Sequence, residues 1–187
     1  MFACNTIEAW KDAPMASSVS KLVPIIFNHG YVGVSSMYSG LSRELASHGY
    51  IVLVMDSHCG GGLYSTKEDG TPVRINTDKS CNNKKEMWEM INVRSKEIHT
   101  FIDDLYSCNW LSEKAGFPDN ITLDLDKLVN GGHSYGGGAA VCAAVDDDQQ
   151  RIKASVHFDP WNFPHTDQDY SEWNISEKPF LHVYSEH

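Results

Sequence analysis

Five short apolar runs organise the chain: Val23 to Phe27, Tyr50 to Met55, Lys127 to Asn130 with the glycines that follow, Ile152 to Phe158, and Phe180 to Tyr184. The second, YIVLVM, has no polar alternation, so it reads as a parallel strand covered on both faces by helices. Helical periodicity fills the gaps. In SSMYSGLSRELASHG, Met37, Leu41 and Leu45 recur at helical spacing, a leading serine can cap, and Gly49 can supply a left-handed stop. From Asn83 to Ser107, Met87, Ile91, Ile98, Ile102 and Leu105 form one stripe, interrupted by Arg94. Tyr135 to Val145 is a helix of small residues, which permits close approach to the strand before it. Strand and helix alternate throughout, which predicts an α/β fold with a mostly parallel central sheet, helices on both faces and right-handed crossovers.

One stretch resists this scheme. Residues 57–82 contain CGGG and an Asp69-Gly70 pair flanked by LYSTKE and TPVRI, which predicts a hairpin within a long connection. A connection of that length in a compact domain reads as a functional lid or a mobile insertion. No repeat, low-complexity tract or linker marks a second domain, so residues 1–187 are expected to form one domain, with 1–20 a poorly defined N-terminal segment.

Composition narrows the function by exclusion. With 25 Asp and Glu against 15 Lys and Arg, the formal charge of -10 argues against nucleic acid as a partner. There is no run of about 18 apolar residues, and MFACNTIEAWKDAP lacks a basic end followed by an apolar stretch, so a cytoplasmic location is expected. The 5 cysteines show no C-x-x-C spacing, which indicates neither a disulfide framework nor a zinc site. Sequons begin at Asn120 and Asn174 and matter only in a secreted protein. Asp146, Asp147 and Asp148 read as a solvated helix end rather than a metal site.

Candidate chemistry centres on Gly132-His133-Ser134-Tyr135-Gly136, a G-x-S-x-G motif between a predicted strand and a predicted helix. The glycines allow strand and helix to cross where a Cβ would collide, and the turn lifts Ser134 to the carboxyl edge of the sheet. There the Tyr135 amide and the helix dipole face any oxyanion formed. Asn28-His29-Gly30-Tyr31 follows the first run, and the Tyr31 amide is the candidate for the second oxyanion donor. His29 and His133 read as spacers making structural hydrogen bonds. Asp159, in HFDPWNFP, could orient an imidazole, with Glu186 as a second candidate. The alternatives are a Gly-rich turn with a surface serine, and a strand-terminal Asp opening an Asp-Pro turn.

With these residues on view, the chain resembles the platelet-activating-factor acetylhydrolases of the plasma and intracellular type II group, relatives of lipoprotein-associated phospholipase A2. The likeness runs from about Val23 onward, carried by PIIFNHGYVGVSSMYSGLSRELASHGYIVLVMD, VRSKEIHTFIDDL, LDLDKLVNGGHSYGG and QQRIKASVHFDPWNFP. GHSYGG alone names only a superfamily, the α/β-hydrolases; SxLxxELASHGY with HFDPWNFP is far more particular. The resemblance implies Ser134 as nucleophile, Asp159 as acid and the Tyr31 and Tyr135 amides as oxyanion hole. It further implies calcium-independent hydrolysis of a short or oxidised sn-2 acyl ester of a glycerophospholipid, with a lipid or small ester as substrate, a membrane or lipoprotein surface as partner, and no metal or organic cofactor.

Three departures qualify the carry-over. In that family the catalytic histidine lies beyond the strand that PFLHVYSEH resembles, so the chain is expected to be truncated before its base and the fold incomplete at the C-terminus. His187 is a weak candidate for that role, and His157, His165 and His182 fit it less well by strand alternation or turn placement. Only residues 1–20 precede the first strand-helix-strand unit, and the loop after Asp56 has its own sequence. Two other functions stand beside the first: a general carboxylesterase or polyester hydrolase, and a non-catalytic relative used for binding.

Overall fold

A computed structural model describes residues 13–14, 19–162, 164 and 178–185. The runs become β1 (Lys21–Asn28), β2 (Tyr50–Met55), β6 (Val129–His133), β7 (Ala154–Phe158) and β8 (Phe180–Val183), in the order β2-β1-β6-β7-β8 with every pairing parallel. A two-residue strand, β5 (Thr122–Leu123), pairs with the start of β1. The anticipated hairpin forms from β3 (Tyr64–Thr66) and β4 (Pro72–Arg74), antiparallel, with Gly70 at φ +84° in its turn and the Thr71 amide donating to Asp69 Oδ1 at 2.8 Å.

The helices are α1 (Ser39–Ser47), α2 (Lys84–Ser107), α3 (Trp110–Glu113) and α4 (Tyr135–Val145). From β1 the chain steps one way to β2, then returns past β1 to β6 and continues to β7 and β8. With right-handed crossovers, that reversal puts α1 on one face of the sheet and α2 and α4 on the other. It also makes the gap between the carboxyl ends of β1 and β6 the topological switch point, where open α/β sheets bind their ligands.

The main core lies where α2 and α4 meet the sheet, around Ile26, Met87, Ile91, Ile98, Ile102, Leu128 and Ala139. Two expectations need correction here. β2 is not sandwiched: it is the edge strand of the described sheet, its residues are half-buried or exposed, and α1 beside it contains no fully buried residue. The Asp146–Asp148 stretch is not simply solvated, because Asp147 is buried, accepting from the Ile152 amide at 2.7 Å and from Lys178 Nζ at 3.1 Å. An acidic run at a helix end can fold back on its own chain, which one-dimensional charge patterning does not reveal.

α4 rides directly on the strands. A Cβ at Gly132 would lie 2.5 Å from the Gly136 carbonyl and 2.8 Å from that of Asn28; one at Gly136 would overlap the Asn28 and His29 carbonyls. All of these obstacles are backbone, so none can swing aside. Gly132→Ala is therefore expected to destabilise the fold by about 3 kcal/mol or more, at the upper end for overpacking, as read by urea unfolding.

Candidate active site

Ser134 stands between β6 and α4 at φ 52°, ψ -122°, a conformation that L residues adopt only under constraint. Its amide donates to the Phe158 carbonyl at 2.9 Å, and its carbonyl accepts from the Trp161 amide at 2.8 Å. Those two partners bracket Asp159, so the turn carrying the candidate acid is bonded to the backbone of the candidate nucleophile. The Ser134 side chain is half-buried, and its hydroxyl meets no hydrogen-bond partner among the described residues.

Asp159 is itself in the left-handed region, at φ 43°. Its amide donates to the Val183 carbonyl at 2.7 Å, while its Oδ1 accepts from the amide and hydroxyl of Ser185 at 2.6 and 2.9 Å. The end of β8 thus fixes the carboxylate. Val32, at φ 59°, is the third strained residue of the site, leaving only Gln150 at positive φ elsewhere among described non-glycine residues. Such strain persists where surrounding bonds over-determine it, and it gathers at functional sites.

The loop after β1 is held peptide by peptide. Arg94 Nη1 donates to the His29 carbonyl at 2.5 Å, and the Gly30 amide donates to the Tyr38 hydroxyl at 2.9 Å, so both ends of the His29–Gly30 peptide are pinned. The next carbonyl, of Gly30, accepts from His29 Nδ1 at 2.8 Å and from the Gly33 amide at 3.1 Å. A carbonyl cannot donate, so His29 carries its proton on Nδ1. Because the peptide is planar and trans, holding the Gly30 carbonyl aims the Tyr31 amide the opposite way. That amide has no acceptor among the described residues, whereas the Gly30 amide is already engaged.

Tyr38 reaches the loop because Asp56, at the end of β2, accepts from the amide and hydroxyl of Ser35 at 2.7 Å each and anchors the 3-10 turn Ser35–Tyr38. The Tyr38 hydroxyl also pairs with His133 Nδ1 at 2.8 Å. His29 bonds within its own loop and is buried, whereas His133 bonds across to Tyr38 and is half-buried. The insertion after β2 closes over the same loop: the Val32 amide donates to Gly61 at 2.8 Å and the Leu63 amide to Gly33 at 3.0 Å. Cβ atoms at Gly61 and Gly62 would stand 3.2 Å from Tyr135 Cε1 and 3.1 Å from His29 Cε1, which explains the CGGG run.

Sequence reasoning missed Tyr38, Ser185 and the role of Arg94. Only Arg94 left a signal, as the lone charge on an apolar stripe. His187, Glu186 and His165 lie outside the described residues. His157 is buried within β7 and pairs with Ser155 Oγ at 2.8 Å, and His182 lies on β8. Among the described residues no imidazole is bonded to Ser134, and no cluster of three His, Cys, Asp or Glu could hold a metal ion.

A parallel sheet with a strained strand-to-helix serine at its switch point defines an α/β-hydrolase. The chain belongs to the family described as platelet-activating factor acetylhydrolase, isoform II, whose family model matches residues 1–187. It is similar to the platelet-activating factor acetylhydrolase of Bos taurus, 30% identical over 171 residues, covering 79% of this chain and 37% of the relative. It is also similar to that of Canis lupus familiaris, 24% identical over 196 residues, covering 91% and 42%. The chain thus spans roughly two fifths of the length of these curated relatives. In fold it is similar to a ferulic acid esterase from Streptomyces cinnamoneus, with TM-score 0.57 and 14% identity, covering 93% of this chain and 51% of that one.

Burial, reinforced by the Arg94 charge, pushes the His29 imidazole down from 6.5 to about 4, against smaller opposing effects of the Gly30 carbonyl and Asp56. Burial and then His182 push His157 down to about 3. Between about pH 4 and 6.5 the unfolded chain therefore binds protons at these sites that the folded chain refuses, so stability falls as pH drops through this window and is unaffected by them above it. His29→Asn is expected to lessen the pH slope of unfolding free energy in that window by about one proton, as measured by denaturant titration at several pH values.

Proposed function

We propose that this chain carries the nucleophile, acid and oxyanion hole of a serine esterase that cleaves the short or oxidised sn-2 acyl ester of a glycerophospholipid. The observation that carries the reading is the convergence at one sheet edge. Among the described residues the Ser134 hydroxyl, on its strained turn, and the Tyr31 and Tyr135 amides meet no partner, and Asp159 sits in the turn bonded to the Ser134 backbone. Membership of a platelet-activating factor acetylhydrolase family supports the lipid-ester substrate.

In this mechanism Ser134 Oγ attacks the acyl carbonyl while its proton passes to an imidazole from outside the described residues. The negative oxygen of the tetrahedral intermediate is held by the two amides. Collapse expels the lysophospholipid alcohol, which takes the proton, and water then releases the acyl group from Ser134 by the same route. Asp159 orients the imidazole and stabilises it when charged. The substrate arrives from a membrane or lipoprotein surface, and Val32, Leu63 and Tyr64, 43%, 49% and 46% exposed, give the site's rim an apolar character suited to an acyl chain.

A fluorophosphonate probe is expected to label the wild-type chain and not Ser134→Ala, the labelling being measured both without and with imidazole added to the buffer as an exogenous base. Asp159→Asn should slow labelling by about a hundredfold or more. Absence of labelling under both conditions would favour a binding protein and overturn the esterase. Faster turnover of simple aryl esters than of a short sn-2 phospholipid would favour a general carboxylesterase.

A further inference from the structure

Arg94 is wholly buried, at 0% exposure, on the face of α2 that otherwise presents Met87, Met90, Ile91 and Ile98 to the core. Its Nε and Nη2 have no hydrogen-bond partner, and no carboxylate is paired with it among the described residues. Taking a guanidinium out of water costs several kcal/mol even after relaxation, and a well-packed apolar side chain of similar volume commonly serves stability as well or better. Stability of the core does not explain its presence.

Its contacts do. Nη1 donates to the His29 carbonyl, the peptide before Gly30–Tyr31, and the guanidinium carbon lies 4.7 Å from the centre of the Tyr135 ring. The Tyr135 ring in turn meets the Tyr31 ring edge-on at 5.7 Å. Nη2 approaches Gly61, whose missing Cβ would be 3.5 Å from it, so the insertion seals the guanidinium from solvent without competing for space. One planar cation therefore touches the segments that carry both candidate oxyanion donors.

We propose that Arg94 is a positioning residue for the oxyanion hole: it locks the Tyr31 and Tyr135 segments to one another through a hydrogen bond on one side and a cation–π contact on the other. The inference rests on the esterase reading for its kinetic consequence. Its structural consequence, a coupled loop and helix start, does not depend on catalysis. A cation–π contact and a carbonyl bond from the same group need the flat, delocalised guanidinium, and an ammonium supplies only part of that geometry.

The test compares Arg94→Met and Arg94→Lys with the wild-type chain, each first shown to be folded by circular dichroism and denaturant unfolding. Arg94→Met is expected to slow fluorophosphonate labelling of Ser134 by about thirtyfold and Arg94→Lys by about fivefold, while KM for a short ester moves less than about twofold. Amide exchange measured by NMR should accelerate about tenfold at Gly30, Val32 and Gly33 in both variants. If Arg94→Met does not fold, Arg94→Lys carries the test alone. Wild-type labelling and wild-type exchange in a folded variant would overturn the inference. If the wild-type chain itself is not labelled, the esterase reading fails, and unchanged exchange at the three amides would separately overturn the role of Arg94.

Discussion

The structure hangs on a place where backbone meets backbone with nothing between. Gly132 and Gly136 let the start of α4 press on the carbonyls that end β1. This crossing seats the serine elbow at the switch point and leaves no room for a side chain on either partner. The small residues that continue α4 extend the close approach along the helix, and Gly131 makes the same concession toward β7, where a Cβ would meet the Val156 carbonyl at 2.5 Å. Buried asparagines complete the joint. Asn28 donates to Asn130 Oδ1 and to the Gly131 carbonyl, and Asn130 donates to the Ala140 carbonyl, so β1, β6 and α4 share one hydrogen-bond network.

Above that joint lies a layer of buried polarity that an apolar core would not need. Arg94, His29 and Tyr38 each bond the loop after β1, and His29 remains neutral because burial and the neighbouring guanidinium oppose its protonation. Hydrogen bonds in such a low-dielectric layer are strong when complete and costly when broken. The loop consequently has little freedom to relax, and in the proposed esterase donors aimed in advance need not reorganise when charge develops on the substrate. The strained backbone at Val32, Ser134 and Asp159 is the counterpart of this rigidity.

Local signals were legible in the sequence and distant pairings were not. The apolar runs became strands because hydrophobic continuity is a property of adjacent residues, and Ser134 sits on its turn because its glycines are two positions away on each side. Asp159 could be placed at a strand end, yet its grip by Ser185 depends on β8, which is remote in the chain. β2 read as fully covered because its composition says nothing of which strand becomes an edge. Arg94 read as an interruption of a stripe, since a helical wheel records polarity but not that a loop 65 positions away presents a carbonyl to it. β5 has two residues, too few for any periodicity.

The glycines of the insertion carry a consequence for how such a crevice diversifies. A side chain at residue 61 or 62 would press on Tyr135 or His29, so substitution in this innermost wall requires those rings to shift by a few tenths of an ångström. The β3–β4 hairpin a few residues onward is under no such restriction: its tip is exposed, and its strands touch the rest of the chain sparingly. Substitutions at the hairpin tip therefore meet fewer packing constraints than substitutions in the floor beneath it.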